Sequence, residues 1–176
     1  AGEQDREPRD HRHRLRDGVE RLGDDQVRDR QQPLHQRPPV RHPLRRTVTE
    51  LDNVLFSSLT LNPQPLHIDR HYCETQTEWG QPLMNSLFTL GLMIGISVND
   101  TTVGTTIANL GMSDVRFPNP LFQGDTVHVT TEVVGKRESN SRPDAGIVEF
   151  EHKCFNQHDT LVATCRRQAF MKRRPA

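Results

Sequence analysis

The chain has 176 residues with 23 basic and 23 acidic side chains, and 32% of it is hydrophobic. This length allows one ordinary domain with a tail, and the balanced charge gives no general electrostatic case for nucleic acid or acidic lipid as a partner. The longest apolar run, LFTLGLMIGISV, is shorter than the about twenty residues that span a bilayer, and no charged-then-apolar leader opens the chain. We therefore expect a cytoplasmic protein without a membrane segment. Cys73, Cys154 and Cys165 form no CxxC pair, which predicts reduced, buried thiols.

The first segment, residues 1–45, is rich in Arg, Asp, Gln, His and Pro and contains no Lys, Ile, Met or aromatic residue. Such a composition cannot bury enough apolar surface to offset the entropy of ordering, so we predict a disordered tail. An Arg-rich arm for phosphate or RNA is an alternative that the interleaved acids disfavour. A further hypothesis is that the tail is aberrant, translated from high-GC DNA in the wrong frame. The folded domain is predicted at residues 46–176.

The first predicted helix lies in TVTELDNVLFSSLTLN, which follows the tail. Thr49 and Asp52 have the spacing of a capping box, and Asn62-Pro63 ends the helical pattern. Four apolar residues share one face of this helix: Leu51, Val54, Leu55 and Leu59.

Two more helices are predicted downstream. Asp69 is suited to cap a short helix over RHYCETQTEW, which Gly80 would end. The segment NSLFTLGLMIGISV, residues 85–98, is apolar on nearly every side, and that pattern is typical of a helix buried all round. Asn85 or Ser86 can serve as its N-cap.

After Thr101 the hydrophobic period changes to two. Four segments alternate or are β-branched: TIANLGMSDVRF, DTVHVTTEVVGKRE, GIVEFEHKCFNQ and TLVATCRRQAFMKR. Because short turns separate them, they predict an antiparallel meander. A uniformly apolar helix before four long strands predicts an α+β fold in which the sheet wraps around a buried central helix.

Three strings in this architecture resemble a known family. PLHIDRHY, GQPLMNSLFTLGL and DVRFPNPLFQGDTVHV are similar, in order and approximate spacing, to the MaoC-like (R)-specific enoyl-CoA hydratases and dehydratases, which have the hot-dog fold. Members akin to mesaconyl-CoA hydratase look closest. The resemblance implies a homodimer, a dimer of dimers or a trimer of dimers, with acyl-CoA bound at the dimer interface. It implies reversible addition of water to a 2-enoyl thioester, with no metal and no cofactor, since CoA is part of the substrate.

The family's hydratase motif aligns with residues 62–69, which implies roles for four of them. His67 falls on the catalytic histidine, and it suits an acid–base role because imidazole exchanges protons near neutral pH. Asp69 falls on the trailing aspartate and either assists His67 or only caps the next helix. Asn62 stands where the family has a catalytic aspartate, and Gln64 stands where it has Asn. Asn62 cannot accept a proton, but its amide can hold a water or the acyl carbonyl.

Further candidates are positions that could bind the thioester or the rest of the substrate. Backbone N–H groups at a helix start can polarise a thioester carbonyl, so Asn85 and Ser86 are candidate oxyanion-hole residues as well as candidate caps. Arg142, in SNSRPDAGIV, could contact a CoA phosphate or a substrate carboxylate, or it could be a turn residue in solvent.

Two other functions remain open. One is a hot-dog acyl-CoA thioesterase, in which water attacks the carbonyl carbon. The other is a non-catalytic acyl-CoA-binding subunit, which the Asn62 substitution motivates. A metal site at His67 and His71 is disfavoured, because Ile68 stands where the zinc-protease pattern requires Glu.

Overall fold

The structure, a computed structural model, describes residues 37–173. Residues 1–36 of the predicted tail, which was expected to reach residue 45, lie outside the described residues. The fold starts before the predicted boundary at residue 46, because strand β1 (Val40–Arg41) pairs with a later strand and His42 is buried. Residues 38–45 therefore belong with the domain and not with the tail.

The strands form one antiparallel sheet with the order β1-β4-β5-β6-β3, and β2 (Arg46–Thr47) pairs with β4 outside that path. The long strands are β3 (Thr106–Arg116), β4 (Thr126–Glu138), β5 (Ala145–Phe155) and β6 (Leu161–Lys172). Their bounds agree within two residues with the four predicted segments. The β4–β5–β6 meander follows from the period-two pattern and the short turns.

The helices are α1 (Glu50–Thr60), α2 (Pro65–Ile68), α3 (Arg70–Gln76) and α4 (Ser86–Thr101). In the capping box of α1, the Thr49 N–H donates to Asp52 Oδ2 at 2.8 Å. The predicted helix over residues 70–79 ends earlier, at Gln76, and Thr77 follows it with extended backbone. Within the part of the chain that the structure describes, no helix is both long and apolar enough to cross a membrane.

Helix α4 packs on the face of the sheet formed by β4, β5 and β6. Its buried Met93 and Ile96 join the core with strand residues such as Val129, Cys154 and Val162. The sequence predicted that this helix is buried all round, and in the single chain this prediction is wrong. Leu87 is 62% exposed, and Gly91 and Gly95 are exposed too. An outer stripe of α4 is thus uncovered in the single chain.

Helix α1 also turns apolar residues outward. Asn53 and Ser57 are buried, whereas the four residues of the predicted apolar face are 41–83% exposed: Leu51, Val54, Leu55 and Leu59. The side of α1 that packs against the domain therefore carries the polar residues Asn53 and Ser57, together with the half-buried Phe56, whose ring contacts Phe88 of α4. Asn53 on that side reaches the candidate site.

Candidate active site

His67 lies in the short helix α2, within a loop that the sequence makes rigid. Pro63 and Pro65 restrict the backbone on both sides of Gln64, and Pro65 occupies the first turn of α2. The buried Cys73 thiol of α3 donates to Leu66 O in this loop at 3.4 Å. Burial, and to a lesser extent nearby Asp69 and Glu74, raise the pKa of that thiol, so it remains a neutral donor.

The imidazole of His67 is half-buried and held by a backbone carbonyl. Its Nδ1 lies 3.0 Å from Leu83 O. A carbonyl oxygen only accepts hydrogen bonds, so Nδ1 must carry the proton. In the neutral ring Nε2 is therefore the acceptor, and it is the atom through which His67 can act as a base.

Residues 83–85 connect the His67 loop to the start of α4. Leu83 N–H donates to Leu66 O at 3.1 Å, and Met84 N–H donates to Leu121 O at 2.8 Å. Leu83 also forms an isolated bridge with Phe122. This segment is thus fixed on two sides, by the His67 loop and by the residues that precede β4.

Asn53 ties the same pieces together through its fully buried side chain. Its Nδ2 donates to Leu83 O at 2.8 Å and to His67 O at 3.0 Å, and its Oδ1 accepts from Asn85 N–H at 2.9 Å. One amide therefore fixes the backbone of His67, the carbonyl that orients the His67 ring, and the residue that begins α4. We expect Asn53 to set the distance between the imidazole and the helix start.

The start of α4 presents backbone donors at the positive end of the helix dipole. Asn85 Oδ1 accepts from Leu87 N–H at 2.9 Å, and Asn85 O accepts from Thr89 N–H at 3.0 Å. Ser86 is the first helical residue and is exposed, and its N–H has no acceptor within the helix. Asn85 thus acts as the cap, while the Ser86 N–H remains able to donate to a ligand oxygen.

A cavity of about 230 Å³ opens beside Ser86. Its walls are mainly apolar, and Trp79, Met84, Phe117 and Val162 are among the residues that line it. His67 does not line this cavity. A short acyl group could lie here with its thioester at the helix start.

The other motif residues have structural partners in the single chain. Asn62 Oδ1 accepts from Gln64 N–H at 3.1 Å, which makes a local turn, and Gln64 is exposed. Asp69 Oδ1 accepts from Tyr72 N–H at 2.9 Å and caps α3. Asn62 lines a separate cavity of about 380 Å³ against Ser57 of α1.

Arg142 lies on the β4–β5 hairpin, far along β4 from the end that adjoins the candidate site. The 13 residues of β4 separate its ends by up to roughly 40 Å. The guanidinium donates to both carboxylate oxygens of Asp144 and lies over the Phe170 ring. Within one chain, the structure therefore does not bring Arg142 to His67. In residues 37–173, no group of three or more His, Cys, Asp or Glu side chains is arranged to hold a metal ion.

The residue that the sequence analysis missed is Asn53. It stands between Asp52 and Val54 on what reads as the polar face of an amphipathic helix, and such faces usually lie in solvent. Only the tertiary structure shows that this face is the buried one.

An antiparallel sheet with a single long helix packed on one face is the hot-dog fold. Residues 31–153 match the MaoC like domain family, and the chain belongs to that family. The β-methylmalyl-CoA dehydratase of Chloroflexus aurantiacus is 30% identical over 139 residues, which cover 76% of this chain and 37% of the relative. The mesaconyl-CoA hydratase of Cereibacter sphaeroides is 27% identical over 141 residues, which cover 77% and 38%.

A similar solved structure is the X-ray structure of a monoamine oxidase regulatory protein from Archaeoglobus fulgius. It superposes with a TM-score of 0.71 at 32% identity, and the match covers 78% of this chain and 90% of that one. By contrast, the matched part of this chain spans less than two fifths of the length of the two curated relatives.

Proposed function

We propose that the protein catalyses reversible hydration of a 2-enoyl-CoA thioester, or dehydration of the corresponding 3-hydroxyacyl-CoA. The observation that carries this proposal is the position of His67, whose Nδ1 donates to Leu83 O, three residues before Ser86, the first residue of α4. In this proposal the base is the His67 imidazole and the oxyanion donor is the Ser86 N–H, and neighbouring stretches of backbone hold the two groups. Both are needed to add water to an enoyl thioester.

The proposed reaction assigns one task to each group. The Ser86 N–H donates to the thioester oxygen and stabilises the negative charge that gathers there as water attacks C3. His67 Nε2 takes a proton from that water while the C3–O bond forms. The same imidazolium then delivers its proton to C2, which completes the hydration without a metal or redox step.

The family's usual site has two acid–base groups, and in this chain Asn62 stands in the place of one of them. Its amide can hold the attacking water, but it cannot take up a proton. General acid–base help from a second group is typically worth about 10²–10⁴ in rate, so the proposal leaves proton transfer to His67 alone. Asp69 and Gln64 contribute to the position of the His67 loop, through the cap of α3 and the turn at Asn62.

The relatives support the reaction class. Two of them are named as a dehydratase and a hydratase of CoA thioesters, and those two reactions are the same equilibrium approached from opposite sides. Since the chain matches only part of each relative, the activity is proposed from the site and the family together.

We also propose that the working unit is a homodimer. Strand β3 is at the edge of the sheet and exposes Leu110, Met112 and Val115, while α1 and α4 expose apolar residues in the single chain. A long unpaired edge with apolar neighbours favours pairing with another chain. A second copy would cover these surfaces and enclose the site, and light scattering after gel filtration would measure the mass that decides between monomer and dimer.

The test is a hydration assay with crotonyl-CoA and mesaconyl-CoA, combined with measurement of free CoA. We expect loss of the enoyl thioester with no release of CoA. Release of CoA from a saturated acyl-CoA would instead support a thioesterase. A folded dimer that binds acyl-CoA but transforms neither substrate would support the non-catalytic subunit.

Asn62→Asp provides a matched comparison. The carboxylate can still accept from Gln64 N–H, so we expect the fold to be retained. A rate that rises would show that the site can still use a second acid–base group, whereas a rate that falls would show that the amide has its own role.

A further inference from the structure

The cavity beside Ser86 has a buried floor and an exposed rim. Four of its lining residues are at most 5% exposed and form the floor: Met84, Thr89, Leu121 and Val162. Ser86 and residues 117–119 also line the cavity but are exposed, and they form its rim. An acyl group that fills the floor therefore has its thioester at the rim, beside the Ser86 N–H, and the pantetheine arm of CoA leaves over this rim.

Asn119 lies in a rim loop whose backbone is restricted by proline. The residues immediately before and after it are both prolines, whose φ is fixed. Leu121 O, at the end of this loop, accepts from Met84 N–H at 2.8 Å, and Met84 lies two residues before Ser86. This bond ties the loop to the start of α4. We therefore expect Asn119 to keep a constant distance from the Ser86 N–H.

The side-chain amide of Asn119 is held in one orientation. Its Nδ2 donates to Leu161 O at 2.9 Å. A carbonyl oxygen only accepts hydrogen bonds, so the atom at Leu161 must be the nitrogen, and Oδ1 is the other end of the amide. Leu161 directly precedes the floor residue Val162, so the side chain lies across the edge of the cavity. The Oδ1 atom has no hydrogen-bond partner among residues 37–173, and it is thus an acceptor available to a ligand.

An acceptor on the rim requires a ligand group that donates a hydrogen bond. The enoyl group itself offers none, because its carbons carry no N–H or O–H and its carbonyl oxygen only accepts. The nearest donor in an acyl-CoA is the first amide N–H of the pantetheine arm, which follows two methylene groups after the sulfur. That N–H is therefore the group that Asn119 Oδ1 is suited to bind.

The dimensions of the ligand and of the cavity agree with this assignment. In an extended thioester the carbonyl oxygen and the first pantetheine nitrogen are about 5 Å apart, since each bond is about 1.5 Å long. Each hydrogen bond adds about 2.9 Å, so one thioester can join two protein groups that are up to about 11 Å apart. A cavity of about 230 Å³ is smaller than a sphere of that diameter. Ser86 N–H and Asn119 Oδ1, on the rim of this one cavity, are thus within the reach of a single ligand.

We propose that Asn119 Oδ1 binds the first amide N–H of the pantetheine arm while the Ser86 N–H binds the thioester oxygen. This proposal rests on the proposed function at the same site. The two contacts lie on opposite sides of the sulfur atom, so together they fix the thioester along the rim and direct the acyl group to the floor. Asn119 is then a residue that selects thioesters of CoA over thioesters that lack the amide.

The experiment compares two crotonyl thioesters that differ in one group. Crotonyl-N-acetylcysteamine carries the amide, and the crotonyl thioester of 2-acetoxyethanethiol has an ester oxygen in place of the N–H. One neutral hydrogen bond corresponds to a wild-type preference in kcat/KM of about 3- to 10-fold for the amide. Asn119→Leu should reduce this ratio to about one, because the variant has no acceptor for either compound. A ratio near one in the wild type would overturn the proposal, as would the full preference in Asn119→Leu.

Two further variants separate this contact from a structural role of the loop. Asn140→Leu makes the same substitution on the β4–β5 hairpin, outside the cavity, and should keep the full preference. Asn119→Ala provides a smaller replacement if Leu prevents folding, and its ratio should also be about one. A residue that only anchors the loop to Leu161 would instead lower the Tm and slow both thioesters by the same factor when replaced. That result leaves the ratio unchanged and would overturn the proposal.

A binding measurement separates this proposal from the proposed reaction. The butyryl thioesters of the same two thiols are saturated and cannot be hydrated, and Trp79, the only tryptophan in the chain, lines the cavity. Its fluorescence in titrations reports the affinity for each compound. Wild type should bind the amide about 3- to 10-fold more tightly, and Asn119→Leu should bind both alike, whether or not the protein hydrates any thioester. Asn119-dependent binding without hydration would reject only the reaction, whereas equal affinities in the wild type would overturn the role of Asn119.

Discussion

Replacing Asn53 with Ala removes three hydrogen bonds from the point where the His67 loop meets α4. The carbonyl of Leu83 keeps the bond from His67 Nδ1, but His67 O and the buried Asn85 N–H lose their partners. Each net hydrogen bond contributes about 1 kcal/mol, and each buried group left unpaired costs about 1–3 kcal/mol. We therefore expect the free energy of unfolding to fall by about 3–5 kcal/mol.

The expected effect on activity is larger than the effect on substrate binding. Asn53 does not touch the substrate in this account, but it sets the position of His67 relative to Ser86. A shift of about 1 Å in such a pair can cost about 10²-fold in rate, so we expect kcat for hydration to fall by about that factor while KM changes little. Asn53→Asp should be no better than Asn53→Ala, because its carboxylate still accepts from Asn85 N–H but is buried against two carbonyl oxygens, to which it cannot donate.

Ser57→Ala is the matched control for this experiment. Ser57 lies one turn along the same buried face of α1, and its hydroxyl has no hydrogen-bond partner among the described residues. Urea unfolding, followed by the fluorescence of Trp79, and crotonyl-CoA hydration are measured for both variants. Ser57→Ala should stay within about 0.5 kcal/mol of wild type and keep full activity. If Asn53→Ala matched it in both respects, the amide would not be the link described here.

Three other outcomes follow from the buried groups and turns. The unfolded state binds a proton at His152 below about pH 6.5, whereas the folded state does so only near pH 3. The free energy of unfolding should therefore fall by about 2 kcal/mol as the pH drops from 7 to 5. In His152→Leu the urea midpoint should fall less over the same pH range, and an equal fall would contradict the role of this group. Burial raises the pKa of Cys154 to about 12 and that of Cys165 to about 11, so a thiol reagent should label neither in the native protein; stoichiometric native labelling would contradict their burial. Gly124 has φ +93°, so Gly124→Ala should lower the free energy of unfolding by about 1–3 kcal/mol, and an unchanged urea midpoint would contradict strain at this turn.

Much of the fold could be predicted because the sequence pattern is strong where the chain is regular. The period of two after Thr101 predicts all four long strands, and the capping box at Thr49 and Asp52 predicts the start of α1. The family motif also leads directly to His67 and to the start of α4 at Ser86.

What could not be predicted depends on contacts between distant segments. Local pattern does not reveal that α1 buries its polar side, so Asn53 reads as a surface residue. Likewise Arg166 and Arg167 are identical in type and adjacent in sequence, and only the pleat of β6 and the core beneath α4 bury the second one. The short strand β1 was missed because two residues are too few to show a period of two, and pairing with β4 supplies their order.

The most direct test of the central claim is the hydration rate of His67→Asn. The Asn side chain can still donate to Leu83 O in place of Nδ1, so the fold should keep its wild-type Tm, but the variant has no Nε2 to exchange a proton. We predict that kcat for crotonyl-CoA, or for whichever enoyl-CoA the wild type hydrates fastest, falls by about 10²–10⁴. A folded His67→Asn protein that hydrates at the wild-type rate would contradict the account.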